Sequence, residues 1–339
     1  MGYRDHWLKT KSTRWKNHTD ESSTTCTTDG QGANTMVLNS LFPVFAIILM
    51  GRILQGTNFI KKEFLTTSDR LVYYIFFPCM LFYKIGGNQG AESLDFTLPL
   101  AGVCALFLIF ILSTLYIVYG DVTDFQAGTF SQSCYRFNTY IGMAIVMTAL
   151  GEEGIIRFGL LIGVVIPIIN ILSVSILIWF SGKEYTIAQR GGKLFKEAVS
   201  NPLILACLAG FIFSRWGCGF PVFIDNTLKL VSTVTLPLAL ISIGSAFTLK
   251  KLKGYLKLSM ISAAFKMILF PLSGVLFMTL FGVTGMEFKA GLIFFCMPTS
   301  TSIYILSSQM NSDTDLASAS IVFSTLVSFI SLSVALSLM

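Results

Sequence analysis

The chain has 339 residues, of which 53% are hydrophobic and 12% are charged, and its formal net charge is +6. Soluble domains average about 25% charged residues, so this composition, with repeated apolar runs of about 20 residues, predicts an all-α membrane protein rather than a soluble domain or a β-barrel. The basic residues cluster in short loops between the apolar runs, as membrane topology requires, and therefore do not indicate a nucleic-acid partner.

The N-terminal segment, residues 1–35, differs from the rest of the chain. It is polar and ends in a stretch rich in Ser, Thr and Gly from Glu21 to Thr35. It lacks the apolar region of a signal peptide, and its composition is typical of disordered segments. We expect a disordered tail that precedes the first apolar run at Met36.

Ten apolar runs follow, each long enough to be interpreted as a membrane span. They form two halves of five spans, residues 36–181 and 198–339, which are joined by a linker at 182–197. The predicted spans are Met36–Leu54, Phe64–Gly86, Phe96–Tyr119, Gln126–Leu150, Gly154–Ser181, Ala198–Ser214, Val222–Thr248, Tyr255–Phe281, Met286–Met310 and Asp315–Leu338.

The lysines and arginines near the span ends are divided unequally between the two sets of loops. The positive-inside rule places the richer set in the cytoplasm and both termini outside. The richer set contains Arg52, Lys61, Lys62, Arg70, Lys183, Arg190, Lys193, Lys196, Lys250, Lys251, Lys253 and Lys257, and the other contains Lys84, Arg157, Arg215 and Lys289.

An internal repeat relates the two halves. Pro43, Gly51 and Pro78 recur in the second half at a constant offset of 159 positions. Because each half has an odd number of spans, the halves must insert with opposite orientations. This predicts the inverted repeat that is typical of secondary transporters.

Two predicted spans contain polar interruptions at corresponding positions. The ninth contains Cys296-Met-Pro-Thr-Ser-Thr-Ser302, and the fourth contains Arg136-Phe-Asn-Thr-Tyr-Ile-Gly142. Proline breaks a helix, and irregular backbone at membrane depth is tolerated only where it is buried in protein or lines a cavity. If the breaks cross, the half-helix N-termini present free N–H groups and positive dipole ends to one point, which favours an anion.

Two basic residues lie deep within predicted spans. Arg136 either contacts the substrate anion, or forms a gate, or satisfies carbonyls that the break frees, since arginine has five donors. Lys266 attracts an anion, bonds to the opposite break, or extends to the membrane interface. No carboxylate is expected at comparable depth in the predicted spans, which disfavours a cationic substrate and a carboxylate proton relay.

Short polar residues at the breaks are the other candidates for substrate contact. They either extend into the cavity or cap the half-helices, and the two roles are compatible. Gly142 is expected to permit a close backbone approach. Asn170 either lines the cavity or makes ordinary interhelical hydrogen bonds, and the second role is favoured. The remaining candidates for the site are Asn138, Thr139, Pro298, Thr299 and Ser300.

No set of residues supports catalysis or cofactor binding. The chain has two histidines and seven cysteines, and neither metal-ligand spacing nor paired carboxylates occur within a span. The nucleophile, base or metal set that an enzyme needs is therefore missing. We expect no enzymatic activity and no cofactor.

Several motifs together resemble the auxin efflux carrier family in its bacterial form, over Met36 to Met339. The resemblance implies ten helices in an inverted five-plus-five repeat with crossed, broken fourth and ninth helices. The motifs are Arg136-Phe-Asn-Thr-Tyr-Ile-Gly142, Gly151-Glu-Glu-Gly154, Asn201-Pro-Leu-Ile204, Leu236-Pro-Leu-Ala-Leu-Ile-Ser-Ile-Gly244, Lys266 and Pro298-Thr-Ser300.

The same resemblance implies a homodimeric scaffold of helices one, two, six and seven, and an elevator-like movement of the others. Plant members export auxin, and bacterial members are associated with malate, malonate and similar acids. Two departures are visible: the linker Gly182–Glu197 is short, and Asn138-Thr139 replaces the proline of the plant carriers at the first crossing.

The sequence therefore predicts a carrier for a small organic anion, a mono- or dicarboxylate, in a bacterial inner membrane. Proton coupling or uniport is favoured over sodium coupling. The alternatives are a sodium-coupled symporter of the bile-acid type, which resembles this family distantly, and a membrane ligand sensor that does not transport. A requirement for a sodium gradient would identify the sodium-coupled symporter. A sensor would need an output domain, and none is recognised in this sequence.

Overall fold

The computed structural model describes residues 29–87, 95–180, 202–215, 219–246 and 252–339. Within these ranges the chain is helical and contains no β-strand, which confirms the all-α class. The helices are α1 (Asp29–Gly56), α2 (Lys62–Leu71), α3 (Phe77–Gly86), α4 (Thr97–Tyr119), α5 (Asp124–Tyr135), α6 (Thr139–Phe180), α7 (Pro202–Arg215), α8 (Val222–Ser245), α9 (Leu252–Ala264), α10 (Phe270–Leu280), α11 (Gly285–Cys296), α12 (Ser302–Gln309) and α13 (Thr314–Ser337).

Six helical stretches of the described chain are long and apolar enough to cross a membrane, and α7 is apolar but shorter. Large apolar side chains are exposed along them, as in Leu230 and Trp179, which is the surface that a bilayer requires. The protein is therefore an integral, multi-pass membrane protein, as predicted. The six stretches are Val37–Gly56, Thr97–Tyr119, Asp124–Phe180, Val222–Ser245, Gly254–Leu280 and Thr314–Ser337.

The first helix begins before the first predicted span. Helix α1 begins at Asp29, while its stretch that is apolar enough to cross a membrane begins at Val37, next to the predicted start at Met36. Glycines 30 and 32 have low helix propensity, which made this stretch resemble a loop in the sequence. Residues 1–28 and the predicted linker 182–197 lie outside the described residues.

Two short π-helical segments occur just before prolines. Val72–Phe76 joins α2 to α3, and Phe265–Leu269 joins α9 to α10. The prolines, Pro78 and Pro271, lie in the first turns of α3 and α10, where a missing N–H donor costs least. A wider helical turn accommodates the carbonyls that each proline leaves without a donor. Each pair of helices therefore continues as one helical stretch through its π-helical segment.

The helices α1 and α8 approach one another closely at two glycines. A Cβ atom on Gly244 would lie 1.8 Å from the Ile48 carbonyl oxygen, and one on Gly51 would lie 2.1 Å from that of Ile241. Both distances are far below van der Waals contact, so only glycine fits at either position. Such small residues at helix contacts are typical of membrane bundles.

A second group of helices surrounds the two predicted breaks. Helix α13 packs on α9, and α11 packs on α6. Helix α6 also turns sharply at Gly151, whose φ of 67° is unfavourable for residues with a side chain. This turn separates the part of α6 that follows the first break from the part that returns across the bundle.

Candidate functional site

Both predicted interruptions are present in the structure. Helix α5 ends at Tyr135, and Arg136 is extended, with φ −63° and ψ 147°. Helix α11 ends at Cys296, and Met297 is extended in nearly the same way, with φ −68° and ψ 148°. The chain becomes helical again at Thr139 in the first case and at Ser302 in the second.

The two breaks contact each other directly. The Asn138 backbone N–H donates to the Pro298 carbonyl oxygen at 2.9 Å. The Thr299 hydroxyl donates to the Arg136 carbonyl oxygen at 3.3 Å, and the Thr299 N–H donates to Ser324 Oγ of α13 at 3.2 Å. Each break thus supplies hydrogen-bond partners to backbone groups of the other. Such pairing is what allows irregular backbone to be buried away from water.

Asn138 caps the helix that follows the first break. Its Oδ1 accepts hydrogen bonds from the backbone N–H groups of Tyr140 and Ile141, both at 3.2 Å. The capping role considered for this residue is therefore confirmed. Its Nδ2 is buried and has no hydrogen-bond partner among the described residues, so both of its N–H donors remain for a ligand.

Arg136 connects both breaks with the returning part of α6. Its side chain is buried, and Nη2 donates to Ser302 Oγ at 3.0 Å and to Asn170 Oδ1 at 3.2 Å. Ser302 begins α12, and its hydroxyl lies 2.7 Å from that of Ser300. A guanidinium is thereby held at membrane depth by neutral polar groups, and its positive charge lies at the junction of the two breaks.

Lys266 lies in the π-helical segment before α10, which packs against α11, the helix that ends at the second break. It is fully buried, so its predicted extension to the membrane interface is wrong. Its Nζ lies 4.1 Å from the centre of the Phe270 ring and has no hydrogen-bond partner in the described part of the chain. The prediction that it bonds to the opposite break is therefore also wrong, and attraction of an anion remains a prediction.

The other predicted residues take up distinct positions. Thr139 begins α6 and is partly exposed, whereas Pro298 and Thr299 are buried within the second break. Gly142 faces the Met297 side chain, because a Cβ there would lie 1.8 Å from Met297 Sδ. The expected close approach exists, but it involves a side chain rather than a backbone.

Three residues near or beside the site were not predicted as parts of it. Ser302 and Asn170 bind Arg136, and no sequence signal links positions so far apart. Asp69 of α2 accepts a hydrogen bond from the Ser242 hydroxyl of α8, although no carboxylate was expected at the depth of Arg136 and Lys266. Its position inside the predicted span Phe64–Gly86 is the signal that could have revealed it.

The described ranges contain no cluster of metal-ligating side chains. Within them, no group of three or more His, Cys, Asp or Glu side chains could hold a metal ion. The polar groups at the breaks are amides, hydroxyls and one guanidinium, which suit a ligand with acceptor oxygens.

A polytopic helical protein whose two interrupted helices meet around a buried cation has the arrangement of a membrane carrier. The chain belongs to the membrane transport protein family, whose model matches residues 36–336. This confirms the resemblance to the auxin efflux carriers that the sequence motifs indicated.

Similar proteins are distant but cover nearly the whole chain. An uncharacterized transporter of Methanocaldococcus jannaschii is 21% identical over 85% of this chain and 94% of its own length. An uncharacterized transporter of Methanothermobacter thermautotrophicus is 22% identical over 86% and 95%. A protein of Rhizobium meliloti named "Putative malonate transporter" is 22% identical over 85% and 91%.

Proposed function

We propose that the protein is a secondary carrier, or a uniporter, for a small organic anion, a mono- or dicarboxylate such as malate or malonate, with auxin-like acids as further candidates. The observation that carries the proposal is the buried Arg136 guanidinium at the junction of the two breaks, bonded to Ser302 and Asn170. A carboxylate is the group that a guanidinium fork matches best. The similarity to a protein named as a malonate transporter supports the choice of substrate.

The donors around the junction extend the same reasoning. Asn138 Nδ2 is a buried donor without a partner among the described residues, and a carboxylate is a pure acceptor. The helix that Asn138 caps begins at this point, so its positive dipole end adds to the attraction for an anion. Thr139, Thr299 and Ser300 add hydroxyl groups along the same two breaks.

The proposed architecture has ten membrane helices in two inverted halves of five, with the broken helices crossing. The junction of the breaks at Asn138 and Pro298 supports the crossing. The tight contact of α1 with α8, and of α3 with α7 and α8, supports a separate scaffold. We propose that this scaffold forms a homodimer, and that the remaining helices carry the anion past it in an elevator-like movement.

In the proposed orientation both termini lie outside a bacterial inner membrane. The described ion pairs Lys84–Glu152 and Arg157–Glu287 then lie at the outer end of the bundle. Sodium coupling, as in a bile-acid-type symporter, is the second candidate, because Asp69 places a carboxylate within α2. A sodium gradient that alone drives uptake would favour that candidate.

The test is uptake of labelled malonate, malate and indole-3-acetate by proteoliposomes that contain the wild type, Arg136→Gln or Arg157→Gln. Arg157 is the matched control, because it pairs with Glu287 at the end of the bundle and away from the breaks. We expect saturable uptake of at least one acid, a loss of about tenfold or more in Arg136→Gln, and little change in Arg157→Gln. Equal uptake by the two variants would contradict the proposal.

A further inference from the structure

Lys266 is fully buried, and its Nζ has no hydrogen-bond partner among the described residues. It lies in the segment Phe265–Leu269, which packs against α5, α11 and α13 as well as its own helices. Its neighbour Met267 and the Cys296 carbonyl oxygen both accept from the Ser331 hydroxyl, at 3.3 Å and 3.0 Å. This places Lys266 beside the end of α11, where the second break begins.

Among the described residues, no carboxylate forms an ion pair with Lys266. The Cys296 thiol of α11 is a titratable group that interacts electrostatically with it. On α5, the Cys134 thiol bonds to the Phe130 carbonyl and the Tyr135 hydroxyl lies by Ser173. On α4, the Tyr116 ring packs edge-on against Phe265, while Cys104 and Tyr119 complete the titratable groups of that helix.

The carboxylates of the packed elements all lie at helix ends. Asp124, Glu287 and Asp315 occupy the first turns of α5, α11 and α13, and Glu287 pairs with Arg157. On α9 the charged group near the membrane surface is Lys257, which pairs with Asp121. The guanidinium of Arg136, at the end of α5, is a further positive charge on these elements.

An ammonium group at this position is shielded from solvent, and within the described part of the chain it lies over the face of the Phe270 ring. The attraction of a cation to a ring is smaller than the cost of taking an unpaired charge out of water. The amine is therefore best accommodated without charge while the site is empty. A carboxylate at the breaks changes this balance, because it supplies the missing counter-charge.

We propose that Lys266 carries the proton that accompanies the anion through the membrane. As the carboxylate enters the breaks, the lone pair of the amine takes one proton from water on the same side. The amine returns that proton to water on the other side when the anion leaves. No bond to the substrate is made or broken, and one proton crosses with each anion. This inference rests on the proposed function and assigns its coupling ion.

The test uses proteoliposomes with the membrane potential set to zero and labelled malonate as the probe. The variants are Lys266→Met, which removes the proton acceptor, and Lys266→Arg, which keeps a permanent charge. Lys257→Met is the matched control, because it removes a positive charge from the exposed end of α9. Malonate–malonate exchange without a gradient shows which proteins still bind and move the anion.

With an inward proton gradient of about one pH unit, we expect wild type and Lys257→Met to accumulate malonate about tenfold. Both Lys266→Met and Lys266→Arg should lose this gradient-driven accumulation, because neither side chain can take up and release the proton. Accumulation by either Lys266 variant at the wild-type level would overturn the inference. Wild-type exchange without any response to the gradient would also overturn it, while leaving the proposed function intact. A wild type that neither exchanges nor takes up any acid would overturn both.

Discussion

The contact between α1 and α8 leads to a prediction about stability that does not depend on the substrate. In Gly51→Ala the new methyl group would lie 2.1 Å from the Ile241 carbonyl oxygen, 2.8 Å from its carbonyl carbon and 2.8 Å from its Cα. A carbon atom and a carbonyl oxygen approach no closer than about 3.3 Å. The helices must therefore separate locally by about 1.2 Å, because the obstructing atoms belong to the backbone.

The magnitude follows from the contacts that this separation weakens. A gap of about 0.5–1 Å already loses a quarter to a half of each dispersion contact along the interface. Overpacking usually costs about 1–3 kcal/mol, and we expect the upper end, about 3 kcal/mol, because neither backbone can turn aside. The higher helix propensity of alanine returns about 1 kcal/mol at most.

The assay is the fraction of protein that stays monodisperse in detergent after heating, compared with Gly163→Ala as a matched control. Gly163 also lies within a helix, but a Cβ there would be 3.7 Å from the nearest atom, Cys207 Cβ. We expect Gly51→Ala to lower the apparent melting temperature and Gly163→Ala to leave it unchanged or raise it. If both variants melt like the wild type, the described approach of α1 and α8 is incorrect.

Three further predictions concern the site and its surroundings. Asn138→Ala removes the cap on α6 and should lower the free energy of unfolding by about 1 kcal/mol. Asn138→Asp keeps the capping oxygen and should keep the wild-type melting temperature, but it lacks the Nδ2 donor and should lose malonate uptake. Equal uptake by Asn138→Asp and wild type would limit the residue to capping. Ser302→Ala removes an acceptor of the Arg136 guanidinium and should reduce uptake about tenfold at unchanged expression, and a reduction below twofold would argue against this bond as part of the site. Glu152→Gln breaks the ion pair with Lys84 at the end of the bundle and should change the free energy of unfolding by less than about 1 kcal/mol at low salt. At high salt, which screens the pair, the melting curves of Glu152→Gln and wild type should coincide.

The positions of the breaks were predictable because they are local signals. Proline followed by hydroxyl residues, or arginine and asparagine at membrane depth, conflicts with an apolar helix wherever it occurs. The start of α1 at Asp29 was not predictable from local sequence. A polar, glycine-containing stretch resembles a loop, and it becomes helical here because it continues a helix that packing stabilises.

The partners within the site could not be predicted, because packing determines them. Arg136 binds Asn170 and Ser302, which are 34 and 166 positions away along the chain. The burial of Lys266 likewise depends on the helices around it, since the same side chain near a helix end could extend to the membrane interface. Sequence identifies residues that are costly in a membrane, and the fold decides which groups bind them.

The central claim, that the junction of the two breaks binds an organic anion through Arg136, is tested most directly by equilibrium binding of labelled malonate to the purified protein. The account predicts saturable binding by the wild type, and binding about tenfold weaker or more in Arg136→Gln. Arg136→Lys, which keeps the charge but loses the planar fork, should fall between them. Undiminished malonate binding by folded Arg136→Gln would contradict the account.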